Sequence, residues 1–257
     1  QPAANALAKV PFKSRSKLPF KAVATSRADV ISVPAGYRAS VFIPWGTPIT
    51  GGYPAYLEDG SNSAQDQAEQ LGMHHDGMHF FPIDAQRGGT SSDHGLLVLN
   101  HEYIDAQLLH PNGPTLLAGK RSSSEEVRKE INAHGVSVVE VRRDHAGNWS
   151  VLPSARNRRI TGATPMQIGG PARGHALLKT RHSPQGTASR GTLNNCANGF
   201  TPWGTYLACE ENWAAYFFMP TGSVDVDAKT KASRQRYGVM RAPNTATTAG
   251  SQGWSAT

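Results

Sequence analysis

Between Asn194 and Trp213 the sequence places both of its cysteines, Cys196 and Cys209, beside two adjacent carboxylates, Glu210 and Glu211. Four side-chain amides, Asn194, Asn195, Asn198 and Asn212, share the stretch. Thiolate sulfur is a soft donor and carboxylate oxygen a hard one, so this mixture suits a metal site that uses both. Blander roles fit the same residues. A Cys196–Cys209 disulfide would close a short loop and contribute roughly 3 kcal/mol. Either thiol could instead be a small buried apolar side chain, and Glu210-Glu211 a solvated strand end. No CxxC or HExxH spacing narrows the choice.

Two upstream runs carry further candidates. Met73-His74-His75-Asp76-Gly77-Met78-His79 gathers three imidazoles and a carboxylate, which could bind metal or could hydrogen-bond a loop to its neighbours. His75 and Asp76 are the members to watch. Asn100-His101-Glu102-Tyr103 follows the apolar run Gly95–Leu99. A strand ending abruptly in amide, imidazole and carboxylate either projects ligands or begins a polar loop. Glu102 suits a hard cation such as calcium.

These strings, taken with Asp29-Val30-Ile31-Ser32-Val33-Pro34-Ala35-Gly36-Tyr37 and Ile43-Pro44-Trp45-Gly46, resemble the PhoX family of bacterial alkaline phosphatases over roughly residues 18 to 240. The resemblance implies an exported, periplasmic or secreted phosphomonoesterase with part of a β-propeller fold and with iron and calcium as cofactors. It implies that Cys196 is a thiolate ligand to iron, and that Glu102, Glu210 and Glu211 offer oxygen to calcium or bridge the metals. Asn195 would donate to a phosphate oxygen or orient a ligand, and His75, Asp76 and Asn100 are the phosphate-binding candidates. Cys196 is preferred to Cys209 because it sits in a loop beside the amides, whereas Cys209 lies in a strand that would pack it. Family chains are more than twice as long, so this one reads as an amino-terminal portion, about half of the blades, inactive alone. The alternative is a non-catalytic, calcium-binding propeller that serves as an interaction module.

The elements that must position these groups are mostly strands. Thr205 to Cys209 favours a pleated surface. Continued to Glu211, it would put Thr205, Leu207, Cys209 and Glu211 on one face, and Tyr206, Ala208 and Glu210 on the other. Asn195 to Trp203 reads as a turn-rich loop, because Asn, Gly and Pro punctuate it. Gly95–Leu99 is a strand covered on both faces. Val30–Val33 and Arg38–Ile43 read as strands around a Pro34-Ala35-Gly36 turn. Val136–Arg142 and Gly147–Leu152 form a hairpin of the kind a propeller blade supplies. Ser123-Ser124-Glu125-Glu126 fits a capping box for one short surface helix stopped by Gly135. Residues 47 to 70 and 153 to 192 read as loop. Three regions result: a basic arm over 1–20, a partial propeller domain over 21–240 and an irregular tail over 241–257.

Composition agrees with a mainly β, loop-rich protein: 26 glycines and 17 prolines in 257 residues. A mean hydropathy of -0.44 and the lack of an apolar run of membrane length argue for a soluble protein without membrane insertion, and a monomer is expected. No signal-like apolar segment is visible in Gln1–Phe20. The net charge is +7, yet residues 1–40 hold seven Lys/Arg against Asp29 alone, and residues 230–257 hold four against none. The excess therefore sits in the arm and the tail. A nucleic-acid binder would carry it on the folded body, so that class is disfavoured.

Overall fold

The structure is a computed structural model and describes residues 20–84, 87–219, 224, 227–241 and 254. The chain divides into two compact units between Phe42 and Ile43. Most of the basic arm and of the tail lies outside the described residues.

In the first unit the turn at Pro34-Ala35-Gly36 forms, with the Tyr37 amide donating to Pro34 O at 3.0 Å. The flanking strands expected at Val30–Val33 and Arg38–Ile43 do not. Val30, Ile31 and Val41 are 69%, 79% and 82% exposed, so nothing rewards a ladder there. Apolar alternation makes a strand only when a partner edge and a face to bury exist.

The second unit is built on an antiparallel sheet ordered β1 (His75–Pro82), β2 (His94–His101), β5 (Gly135–Arg143) and β6 (Trp149–Val151), with β7 (Arg158–Ile160) also on β5. β2 pairs with β5 along its whole length, so β6 and β7 share the other edge end to end. The apolar runs explain why this is the core. Leu99 and Val139 are fully buried, and Val98, Val136 and Val138 form one apolar cluster with Phe81, Leu96, Ile160 and Tyr206. The β5–β6 turn closes as the sequence suggests, Gly147 N donating to Asp144 O at 3.0 Å.

Small two-stranded pieces surround it: β3 (Leu116–Leu117) with β4 (Lys120–Arg121), β8 (Pro165–Gln167) with β9 (Ala188–Arg190), β10 (Asn195–Phe200) with β11 (Tyr206–Glu210), and β12 (Phe218–Met219) with β13 (Met240–Arg241). Among the described residues the strands close no barrel. None of the described helices is long and apolar enough to cross a membrane.

Among the described residues four α-helices form where one was expected: α1 (Ala64–Glu69), α2 (Ala106–Leu109), α3 (Ser124–Ala133) and α4 (Ala228–Tyr237). The expected helix, α3, is embedded, not superficial. Lys129 donates to Gly60 O and Leu109 O at 2.6 and 2.7 Å, and Glu130, fully buried, meets His110 at 2.9 Å and Arg121. The Trp254 indole also donates to Glu130, at 2.5 Å. Only half of the expected capping box forms. Ser123 caps the Glu126 amide, but the Glu126 carboxylate turns to Thr115.

α1 occupies residues read as loop. Its start carries a full capping box, Ser63 Oγ taking the Asp66 amide and the Asp66 carboxylate taking the Ser63 amide. Ser63→Ala is expected to cost about 1 kcal/mol, read as a lower denaturant midpoint with an unchanged slope.

Candidate metal centre

Two β-bulges face one another. In the β1–β2 ladder His75 pairs with His101 and Met78 with Leu99, leaving Asp76 and Gly77 together opposite Asn100. In the β10–β11 hairpin Asn195 pairs with Glu210 and Asn198 with Ala208, leaving Cys196 and Ala197 opposite Cys209. A bulge bends its strand and re-aims a side chain. Here the two re-aimed side chains are Asp76 and Cys196. The stretch from Asn195, read as loop, is thus a strand interrupted at the residue that matters.

Close packing holds the bulges together. A Cβ on Gly77 would lie 2.6 Å from Cys196 O and 2.8 Å from Asn198 Oδ1, so only glycine permits the approach. Asn100, fully buried, donates to Cys196 O at 2.8 Å and to Ala197 O at 3.3 Å. The Tyr206 hydroxyl lies 3.0 Å from both Gly77 O and Asn100 Oδ1. Glu102 arrives from the end of β2, its amide bound to His74 O at 3.0 Å. The result is that Asp76, Glu102 and Cys196 each offer one ligand atom within 4.8 Å of the others.

A family model described as "Alkaline phosphatase PhoX" matches residues 18–254. The chain belongs to the PhoX family. It is similar to a solved structure, Pseudomonas fluorescens PhoX in complex with vanadate, a transition state analogue, at 39% identity and a TM-score of 0.75. The match covers 86% of this chain and 36% of that one, so the chain spans about a third of its relative's length. Among curated proteins none matches it.

The electrostatics of this PhoX-family cluster are those of acids crowded together. Hydrogen bonds to the Glu211 and Asp76 carboxylates push the Cys196 thiol up to about 12. Burial first, then the charges of Asp76 and Glu211, raises Glu102 above the usual carboxylate range. A cation among acids crowded in this way would offset their mutual repulsion and favour the deprotonated ligands. One soft sulfur and three hard carboxylates therefore fit a site for metal. Both cysteines are free, which removes the disulfide reading, and Cys209 is exposed where a packed strand residue was expected.

Adjacent carboxylates part company, as strand alternation requires. Glu211 joins the thiol, whereas Glu210 accepts from Thr192 Oγ1 at 2.7 Å and from Leu193 N at 3.0 Å and stays out of the cluster. Asn195 is 1% exposed and donates to Thr192 Oγ1 at 2.9 Å. Its Oδ1 and that of Asn194 are buried without a protein partner. Buried amide oxygens of this kind call for an unseen donor or cation.

Of the phosphate-binding candidates, Asp76 lies in the cluster itself and His75 and Asn100 lie in the network beside it. His75 donates from Nε2 to Ile43 O at 2.8 Å and accepts at Nδ1 from His101 Nδ1, so both ring nitrogens are engaged. His101 Nε2 in turn accepts from Ser137, which accepts from Arg159. Burial lowers His75 and holds His101 well below the ordinary imidazole value, so neither carries charge for an anion. The Asn100 amide protons are spent on the β10 carbonyls. Asp76 faces a thiol and carboxylates, a setting that suits a cation. His74 stacks on Tyr103 and His79 on Phe200.

Three contributors were not picked out from the sequence: Gly77, Tyr206 and Arg159. The Asp-Gly step signals a special backbone, but the packing partner 119 positions away that demands it carries no local sign. A cavity of about 740 Å³ is a separate feature floored by Phe81, Leu96, Val98 and Val138, and none of Asp76, Glu102, Cys196 or Glu211 lines it.

Proposed function

We propose that the chain is part of a metal-dependent alkaline phosphatase that hydrolyses phosphate monoesters outside the cytoplasm. Its sheets would be about half the blades of a β-propeller, and its cofactors iron and calcium. The observation that carries this reading is the meeting of Cys196, Asp76 and Glu102 on paired bulges in a chain of the PhoX family. Cys196 would hold the iron, since sulfur favours the softer transition metal, and Glu102, Glu211 and Asp76 would supply oxygen to calcium or bridge to it. Glu210 is better read as a brace for the Thr192–Asn195 turn. Bound cations supply charge neutralisation at a phosphoryl group and Lewis acidity toward an attacking oxygen. The residues themselves fix the ligands, with Asn100 and Gly77 setting the approach of the bulges. Asn195 aims an unpartnered amide oxygen that can orient a ligand.

The test is metal content. In the purified chain, iron absorbance is expected to disappear in Cys196→Ala and to persist in Cys209→Ala. Iron retained in both variants would remove Cys196 from the centre. The three carboxylates also suit calcium alone, which favours the second reading, a calcium-stabilised interaction module. Calcium uptake with no iron would select it.

A further inference from the structure

A bulge takes carbonyls out of the ladder, and buried carbonyls need donors. At the paired bulges those carbonyls are Gly77 O on β1 and Cys196 O and Ala197 O on β10. All three are taken by two side chains. Asn100 spends both amide protons on β10, at 2.8 and 3.3 Å. The single Tyr206 hydroxyl proton is shared between Gly77 O on β1 and Asn100 Oδ1, each 3.0 Å away. Tyr206 thus ties the first bulge to Asn100, and Asn100 ties itself to the second.

We infer that Asn100 and Tyr206 form a latch across the two bulges that sets the separation of Asp76 from Cys196, and so tunes the metal centre without touching the metal. The latch rests on the reading of Asp76, Glu102, Cys196 and Glu211 as that centre. Its logic is the general one for metal sites. Outer groups that orient the ligands typically change metal affinity by about 10- to 100-fold when removed. The Tyr206 ring packs into the apolar cluster of β2 and β5, which separates the two roles of the residue. The ring supports the sheet, and the hydroxyl spans the bulges.

Tyr206→Phe keeps the ring and deletes only the hydroxyl. The probe is Cd²⁺, titrated into the metal-free chain and followed by its near-ultraviolet thiolate-to-metal charge-transfer band, with melting of the metal-free protein measured alongside. Tyr206→Phe is expected to weaken Cd²⁺ binding about 10-fold and to displace the band, because the sulfur meets the cation in altered geometry. Asn100→Ser should weaken it further, towards about 100-fold. If that variant does not fold, the tyrosine variant decides. Unchanged affinity and band in Tyr206→Phe would overturn the latch, as would an affinity loss matched by lower melting with the band unmoved. A wild-type chain that binds Cd²⁺ with no thiolate band would overturn the centre itself, a different result from either.

Discussion

Gly77→Ala is expected to destabilise the protein by about 3 kcal/mol, the upper part of the range for overpacking a closed site. The new methyl carbon would stand 2.6 Å from Cys196 O and 2.8 Å from Asn198 Oδ1. Relief by movement is blocked on both sides. Cys196 O already accepts from Asn100, and the Asn198 amide reaches across to Met78 O at 3.3 Å. Forcing the bulges apart would also separate Asp76 from Cys196, so metal uptake should fall together with stability. Gly199→Ala is the control, because nothing lies within 4 Å of the Cβ it would add. Chemical denaturation of the two variants checks this. A Gly77→Ala midpoint within about 0.5 kcal/mol of wild type, the ordinary range of surface changes, would show that the bulges are not in fixed contact.

Acid should unfold the metal-free chain well before its carboxylates are titrated. His134 is fully buried, and burial lowers it from 6.5 to about 4. Its Nδ1 donates to Glu130 O at 2.7 Å, and Nε2 accepts from the Tyr216 hydroxyl at 2.9 Å, so the neutral ring is the one that fits. The folded state refuses a proton that the unfolded state accepts near pH 6.5. Stability from this group is therefore complete above pH 6.5 and is lost as the pH falls towards 4. The loss amounts to about 3 kcal/mol for His134. His101, displaced in the same direction, adds to it. Glu130 and Glu140 are held below 4.5, so their contributions disappear only at lower pH. Urea unfolding at pH 7 and pH 4.5 separates the windows. Equal midpoints at the two values would mean that His134 is accessible to protons in the folded chain.

What the sequence made legible was what local pattern controls. β2 and β5 announce themselves as apolar runs, the β5–β6 turn by Asp144 and Gly147, and α3 by Ser123 and the stop at Gly135. α1 was equally visible in Ser63 and Asp66, but the polar residues around them read as loop. β1 was obscured by histidines that look like ligands and prove to be ladder residues. β10 was hidden for the reason that makes it useful: Asn, Cys and Gly are poor strand formers, and they mark the bulge. At the site, residue type singled out Glu102, while Cys196 and Glu211 were named, together with Glu210, through the family resemblance. The sorting of Glu210 from Glu211 followed from strand alternation, yet which of the two would meet the thiol depended on a hairpin register set by the bulge. Asn100 and Tyr206 act through partners about a hundred positions distant, at separations of 96 and 129 for two of their bonds, and no local pattern encodes that.

The row from Arg159 through Ser137 and His101 to His75 has one polarity. Each group gives its proton forward, and the last gives to Ile43 O. Such a row is saturated at its rings: each nitrogen of His75 and His101 has its partner, and a proton added at His75 Nδ1 would face the His101 Nδ1–H head to head. The row therefore leaves neither imidazole next to Asp76 and Glu102 with a spare ring nitrogen, and the two rings serve the sheet as fixed links between the Ile43 carbonyl and Arg159.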